Sequence, residues 1–162
     1  MGPFLLRARA GKARSGGRKR RWKVLTGEYQ HNLDAKGRLF IPARLREELG
    51  DVFYLTLSQE RCLTAYNEQS WRDLCDKVDR MPYSKQVKMR PLFVYAAKCE
   101  LDGQGRILIP QFLRDFARLT KNVTVLGCNN HAELWDSEEW SRISSSETTP
   151  ENIAAAMEEL EF

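Results

Sequence analysis

The chain has 162 residues, 42% of them apolar and 30% charged, with a formal net charge of +4. That length and composition suit one globular domain or two small ones and exclude a collagen-like or low-complexity chain. No apolar run approaches the roughly 20 residues of a membrane span, and Phe4-Leu5-Leu6 is too short for the core of a secretory signal.

The charge is unevenly placed. Residues 1–26 hold nine Lys or Arg and no acid, whereas residues 133–162 hold nine acids and only Arg142. Net charge therefore says little about a partner, and a nucleic-acid reading has to rest on a local patch. Residues 1–24, rich in Arg and Gly with no apolar period, are expected to form a disordered basic extension. A second reading makes this arm a translation-start artefact: Lys19-Arg20-Arg21-Trp22-Lys23 can be encoded by purine-rich codons resembling a ribosome-binding site, with the start codon at Val24.

Thr26 to Leu33 alternates as a strand, Lys36-Gly37 makes a turn and Arg38 to Ile41 is a second short strand, which together predict a hairpin. Pro42 suits a helix start and Gly50 a helix stop, with Leu45 and Leu49 on the buried edge. Phe53–Leu57 and Cys62–Tyr66 read as two more strands. Trp71, Leu74, Cys75 and Val78 then follow at helical spacing up to Met81-Pro82, and Ser84 to Tyr95 continues as a helical connector interrupted by Pro91. The order repeats: strands at 97–101 and 106–109 around Gly103-Gln104-Gly105, a helix from Pro110 to Arg118, strands at 123–127 and 131–135, and a helical turn from Ser137 to Arg142. Residues 144–150 read as a linker. Ile153, Met157 and Leu160 mark a short acidic helix at the end.

The repetition is literal. Leu33 to Arg46 recurs sixty-eight residues on as Leu101 to Arg114, with eight of fourteen positions identical. Two copies are too few for a solenoid, and a lone short hairpin buries too little to fold. The copies are therefore expected to complete one another as a pseudo-twofold α+β barrel with short helices. Its parts are 27–71 as the first half, 72–96 as connector, 97–142 as the second half and 143–162 as acidic tail.

Within each copy, Gly37 and Gly105 suggest a backbone with positive φ or a close neighbour. Asp34 and Asp102 are expected to be structural, accepting turn N–H groups or pairing with Arg38 and Arg106. Around one turn stand Lys36, Arg38, Arg44 and Arg46, and around the other Arg106 and Arg114. Guanidinium groups on a two-stranded element suit the major groove, where they can clamp guanine or phosphate. A solvated basic face would look the same, but the twofold repetition favours regularly spaced phosphates.

The motifs Asp34-Ala35-Lys36-Gly37-Arg38 and Asp102-Gly103-Gln104-Gly105-Arg106, with Gly27 to Leu33 before the first and Ile41 to Arg46 after it, resemble the MraZ family of bacterial transcriptional regulators. Its two SpoVT-AbrB-type halves each carry a D-x-x-x-R motif. The resemblance implies a swapped-hairpin AbrB-like fold and assembly into a homo-oligomeric ring. It implies binding of double-stranded DNA at repeated operator boxes ahead of the division and cell-wall gene cluster, in the cytoplasm and on the nucleoid. Arg38 is then the expected main DNA residue, Lys36 and Arg106 assist, and Arg44 and Arg46 flank. The rival class is an AbrB-type antitoxin or other protein-interaction module, with the Ile153–Leu160 helix as its contact.

No enzyme is expected, because no nucleophile, base and orienting group recur together. No cofactor is expected either. Cys62, Cys75, Cys99 and Cys128 form no CxxC pair, and His31 and His131 are read as standing apart from them.

Overall fold

The computed structural model describes residues 24–161. The basic arm expected at 1–24 thus falls, but for Val24, outside the described residues.

The first half supplies β1 (Glu28–Asn32), β2 (Arg38–Phe40), α1 (Ala43–Leu49), β3 (Val52–Leu57) and β4 (Leu63–Asn67). Three helices lead onward: α2 (Glu68–Asp79), α3 (Tyr83–Gln86) and, after a 3-10 turn, α4 (Arg90–Val94) with Pro91 in its first turn. The second half supplies β5 (Ala97–Glu100), β6 (Arg106–Leu108), α5 (Gln111–Phe116), β7 (Asn122–Gly127) and β8 (Ala132–Asp136). The chain closes with α6 (Ser137–Glu147) and α7 (Pro150–Glu159).

The strands form an antiparallel six-stranded sheet in the order β1-β7-β8-β4-β3-β5 and a separate two-stranded ribbon, β2-β6. Exchanging the halves, β1 for β5, β3 for β7 and β4 for β8, reads the same order backwards. Each half sends its first strand to the other: β1 pairs with β7 and β5 with β3. The α+β class and the mostly antiparallel pairing agree with the sequence reading.

Two local expectations need correction. The hairpin expected at 26–41 is not a ladder, since β1 runs beside β7 and β2 beside β6. Only its turn survives, closed by Asp34 N–H donating to Arg38 O at 3.0 Å. Pairing β2 with its counterpart sets Leu39 opposite Ile107, and both are fully buried, which a local hairpin would not secure for a three-residue strand. The second correction concerns the linker expected from residue 144, because α6 continues to Glu147. The hydroxyls of Ser144, Ser145 and Ser146 fold back onto carbonyls of the preceding turn, Ser145 Oγ reaching Ser141 O at 3.0 Å, while Ile143 packs on the outer cluster with Trp140. A polar serine run here extends a helix instead of ending it.

The main core lies between one sheet face and the layer made by ribbon, α1 and α5. Phe53, Leu55, Leu63, Val123, Val125 and Leu134 from the sheet meet Leu39 and Ile107 from the ribbon and Leu45 and Leu113 from the helices. On the opposite face Trp135, buried to 1% exposure, packs against Trp140, and Trp71 of α2 stacks on Tyr54 with ring centroids 5.0 Å apart. Ile153 and Met157 on α7, and Leu160 just past its end, stay exposed. No helix among the described residues is long and apolar enough to cross a membrane.

Candidate functional site

The repeated stretches form two turns side by side at the ends of the ribbon. In the first, Asp34 Oδ1 accepts from the backbone N–H groups of Lys36 at 3.0 Å and Arg38 at 2.8 Å, and Oδ2 accepts from Arg38 Nε at 2.8 Å. The second repeats every bond: Asp102 Oδ1 accepts from Gln104 N–H at 2.8 Å and Arg106 N–H at 2.9 Å, and Oδ2 from Arg106 Nε at 2.9 Å. An aspartate two residues before a turn N–H is the ordinary side-chain mimic of a backbone turn; the arginine adds a charge-assisted bond.

The two turns are also bonded to each other. Ile41 N–H donates to Gly105 O at 2.9 Å, and Ile109 N–H donates to Gly37 O at 2.9 Å. Arg106 Nη1 approaches Asp34 Oδ2 at 3.8 Å across the halves. Gly37 and Gly105 have φ of +84° and +80°, and each is roofed by an arginine of the opposite copy. Arg114 lies over Gly37, its Nε donating to Ile109 O at 2.8 Å. Arg46 lies over Gly105 and over the Phe40 ring, 5.0 Å from its centroid.

The cations expected from sequence thus separate into two kinds. Lys36 and Arg44 are exposed, and the Arg38 and Arg106 side chains keep 33% and 25% of their surface. Arg46 is half-buried, and its Nε has no hydrogen-bond partner among the described residues. Sequence reasoning missed the roofing role of Arg46 and Arg114. The signal was present, since the two occupy equivalent places in the repeat.

The Arg38 N–H bond, ahead of the Arg38 side chain and the Lys36 N–H, holds the Asp34 carboxyl below its ordinary 3.8 against the opposing pull of desolvation. Asp102 is held down likewise, first by the Arg106 N–H. The folded state therefore favours the carboxylate. The stability this contributes is complete above the unfolded value near 3.8 and is lost as pH falls through the lower folded values. Thermal melts from neutral pH down to about pH 2 should show this loss, and the double variant Asp34→Asn, Asp102→Asn should flatten it.

A second cluster lies on the outer sheet face at the β7–β8 turn. His131 Nε2 is 3.0 Å from Glu133 Oε2, and Cys128 lies beside both. The sequence reading set His131 apart from the cysteines, yet it is three residues from Cys128 and the turn folds the two together.

Fold and site together define a protein made of two copies of one half-domain, locked through paired D-x-x-x-R turns. The family model described as "MraZ protein, putative antitoxin-like" matches twice, over residues 24–91 and 92–160. Proteins named transcriptional regulator MraZ are similar over most of the chain. That of Halothermothrix orenii is 46% identical over 141 residues, covering 85% of this chain and 99% of the relative. That of Alkaliphilus metalliredigens is 44% identical over the same length and coverage, and that of Carboxydothermus hydrogenoformans is 40% identical, covering 83% and 96%. The chain belongs to the MraZ family.

Proposed function

We propose that this chain is a sequence-specific DNA-binding transcriptional regulator. It acts as a homo-oligomeric ring on repeated operator boxes near its own promoter, ahead of division and cell-wall genes, in the cytoplasm and on the nucleoid. The observation that carries the reading is the pair of locked turns. Each arginine spends its Nε on its own aspartate, which fixes the guanidinium plane, and among the described residues the terminal nitrogens of Arg38 donate no hydrogen bond to protein. A pre-oriented guanidinium loses little entropy on clamping guanine or phosphate. The transcriptional-regulator names of the relatives support the same reading.

In this reading Arg38 and Arg106 are the paired contacts, Lys36 adds a phosphate contact from the first half alone, and Arg44 flanks from α1. Arg46 positions the second turn by roofing Gly105, and Asp34 and Asp102 orient the arginines. The half-domains correspond to an AbrB-like swapped-hairpin barrel in which the exchanged strands stand for the swap. Two or three contacts per subunit bind weakly, and a ring engaging successive repeats raises the effective concentration.

The test is binding of the full chain to DNA upstream of its own gene, beside Arg38→Ala, with assembly size followed by light scattering. The variant should keep its assembly and lose roughly 5- to 150-fold in affinity for each guanine contact removed, with a shallower salt dependence. Equal binding by the variant, or loss of assembly with it, would refute the assignment of Arg38. An interaction module of the antitoxin kind has one observation in its favour, the exposed apolar edge of α7. A neighbouring small toxin gene, in place of division genes, would decide for it.

A further inference from the structure

The cluster at the β7–β8 turn has the composition of a metal site. Cys128 N–H donates to His131 O at 2.8 Å, closing a tight connection through Asn129 and Asn130, with Asn129 at φ +70°. This sets Cys128 beside His131, and Glu133, two residues on in β8, points to the same face. A thiol sulfur, an imidazole nitrogen and a carboxylate oxygen then lie within 4.8 Å of one another. Around a tetrahedral zinc ion, ligand atoms at the usual bond lengths stand about 3.3 to 3.6 Å apart. The three atoms are already gathered on nearly that scale.

Their outer atoms are held as metal ligands are held. Asn130 Oδ1 lies 2.9 Å from His131 Nδ1 and Trp135 Nε1 donates to Glu133 Oε1 at 2.9 Å. With Nδ1–H given to Asn130, the inward atoms are His131 Nε2 and Glu133 Oε2. That arrangement, an outer partner fixing the tautomer and the carboxylate rotamer, is the usual second layer of a metal centre. The His131 and Glu133 side chains are 26% and 19% exposed. His131 also lines a cleft of about 440 Å³ with Tyr66, Asp73, Lys77 and Arg80, which gives an entry path and room for a water.

We propose that Cys128, His131 and Glu133 bind one divalent transition-metal ion of the zinc class, with a water from the cleft as fourth ligand. The mixed sulfur, nitrogen and oxygen set favours zinc or cobalt over magnesium or calcium. Binding forms a metal–sulfur bond as the S–H bond breaks, and that proton leaves to solvent. Thiolate and carboxylate balance the two positive charges of the ion, so the half-buried centre is neutral. Because the thiol sheds its proton as it ligates the ion, affinity rises with pH.

Cobalt(II) titration of the full chain under reducing conditions near neutral pH tests this. One ion per chain is expected, with tetrahedral visible bands and a thiolate-to-cobalt charge-transfer band that zinc abolishes by displacement. Cys128→Ser should remove the charge-transfer band and weaken binding by more than the roughly 10- to 100-fold that loss of an outer-layer partner costs. His131→Gln should weaken it comparably while keeping the band. Cys75→Ser, in α2, should titrate as the wild type, and circular dichroism checks that each variant is folded. A wild type without the charge-transfer band, Cys128→Ser titrating as the wild type, or loss of the band in Cys75→Ser would each overturn the proposal.

Discussion

Gly105→Ala is expected to cost about 2 to 4 kcal/mol of stability, and Gly37→Ala about 2.5 to 5, because a methyl at either place meets both a backbone and a packing penalty. The φ values of +80° and +84° are in the left-handed region, where a Cβ costs about 1 to 2 kcal/mol. At Gly105 the methyl carbon would stand 3.0 Å from Arg46 Cζ and 3.3 Å from Phe40 Cε1. Arg46 is already pressed on the Phe40 ring, so it cannot retreat without uncovering that ring. At Gly37 the methyl would stand 2.7 Å from Arg114 Cζ and push the guanidinium off Ile109 O, forfeiting a charge-assisted bond worth about 1.5 to 3 kcal/mol. Gly103 is the internal control. It has ordinary φ, and a methyl placed there would meet nothing within 4 Å, so Gly103→Ala should be neutral or stabilising by up to about 1 kcal/mol. Thermal melts decide: at about 2 to 4 °C per kcal/mol for a chain of this size, the first two should fall well below wild type and the third should not. Equal melting points for all three would show that the arginine roofs do not constrain the turns.

Phe53→Ala is expected to be among the most damaging single truncations, at about 3 to 5 kcal/mol. Phe53 is fully buried in β3, paired on one side with Asn67 of β4 and on the other with Cys99 of β5. The strand therefore joins its own half to the strand donated by the other. The strands on both sides of Phe53 are held in ladders, which leaves little freedom to collapse, and a cost near the upper end follows. Against a typical total of about 5 to 15 kcal/mol, that is a large fraction. Denaturant unfolding should show the midpoint falling with an unchanged slope; a loss below about 1 kcal/mol would mean the ring is not a shared part of the core.

What could be read from the sequence was local chemistry. The aspartate-glycine-arginine turns, the prolines before α1 and α5, and Gly50 after α1 act through neighbours within a few residues, and each is where the spacing placed it. Ladder partners were not legible. β1 and β2 alternate as any hairpin would, and only the burial of Leu39 against Ile107 decides that they diverge. The site split along the same line. Arg38 and Arg106 bond within their own pentapeptides, but Arg46 is packed inward by a glycine of the other half, a contact that no count of local charge reveals. Cys128, His131 and Glu133 went unread because a search for paired cysteines passes over a cysteine, a histidine and a glutamate spaced three and two apart.

The exchanged strands also set the order in which this chain can become a protein. Asn32 faces Asn122 and Glu28 faces Leu126, so the first strand leaves the ribosome 90 to 98 residues before the strand that pairs with it. Until then the nascent chain carries β1 without β7, and β3 lacks β5 until residue 100 has been made. Neither half closes its sheet alone, and contacts of such long sequence separation make for slow, late consolidation. Translation must run nearly to Asp136 before every strand of the sheet is present, which makes the growing chain, and not the finished one, the species most in need of protection from its own unpaired edges.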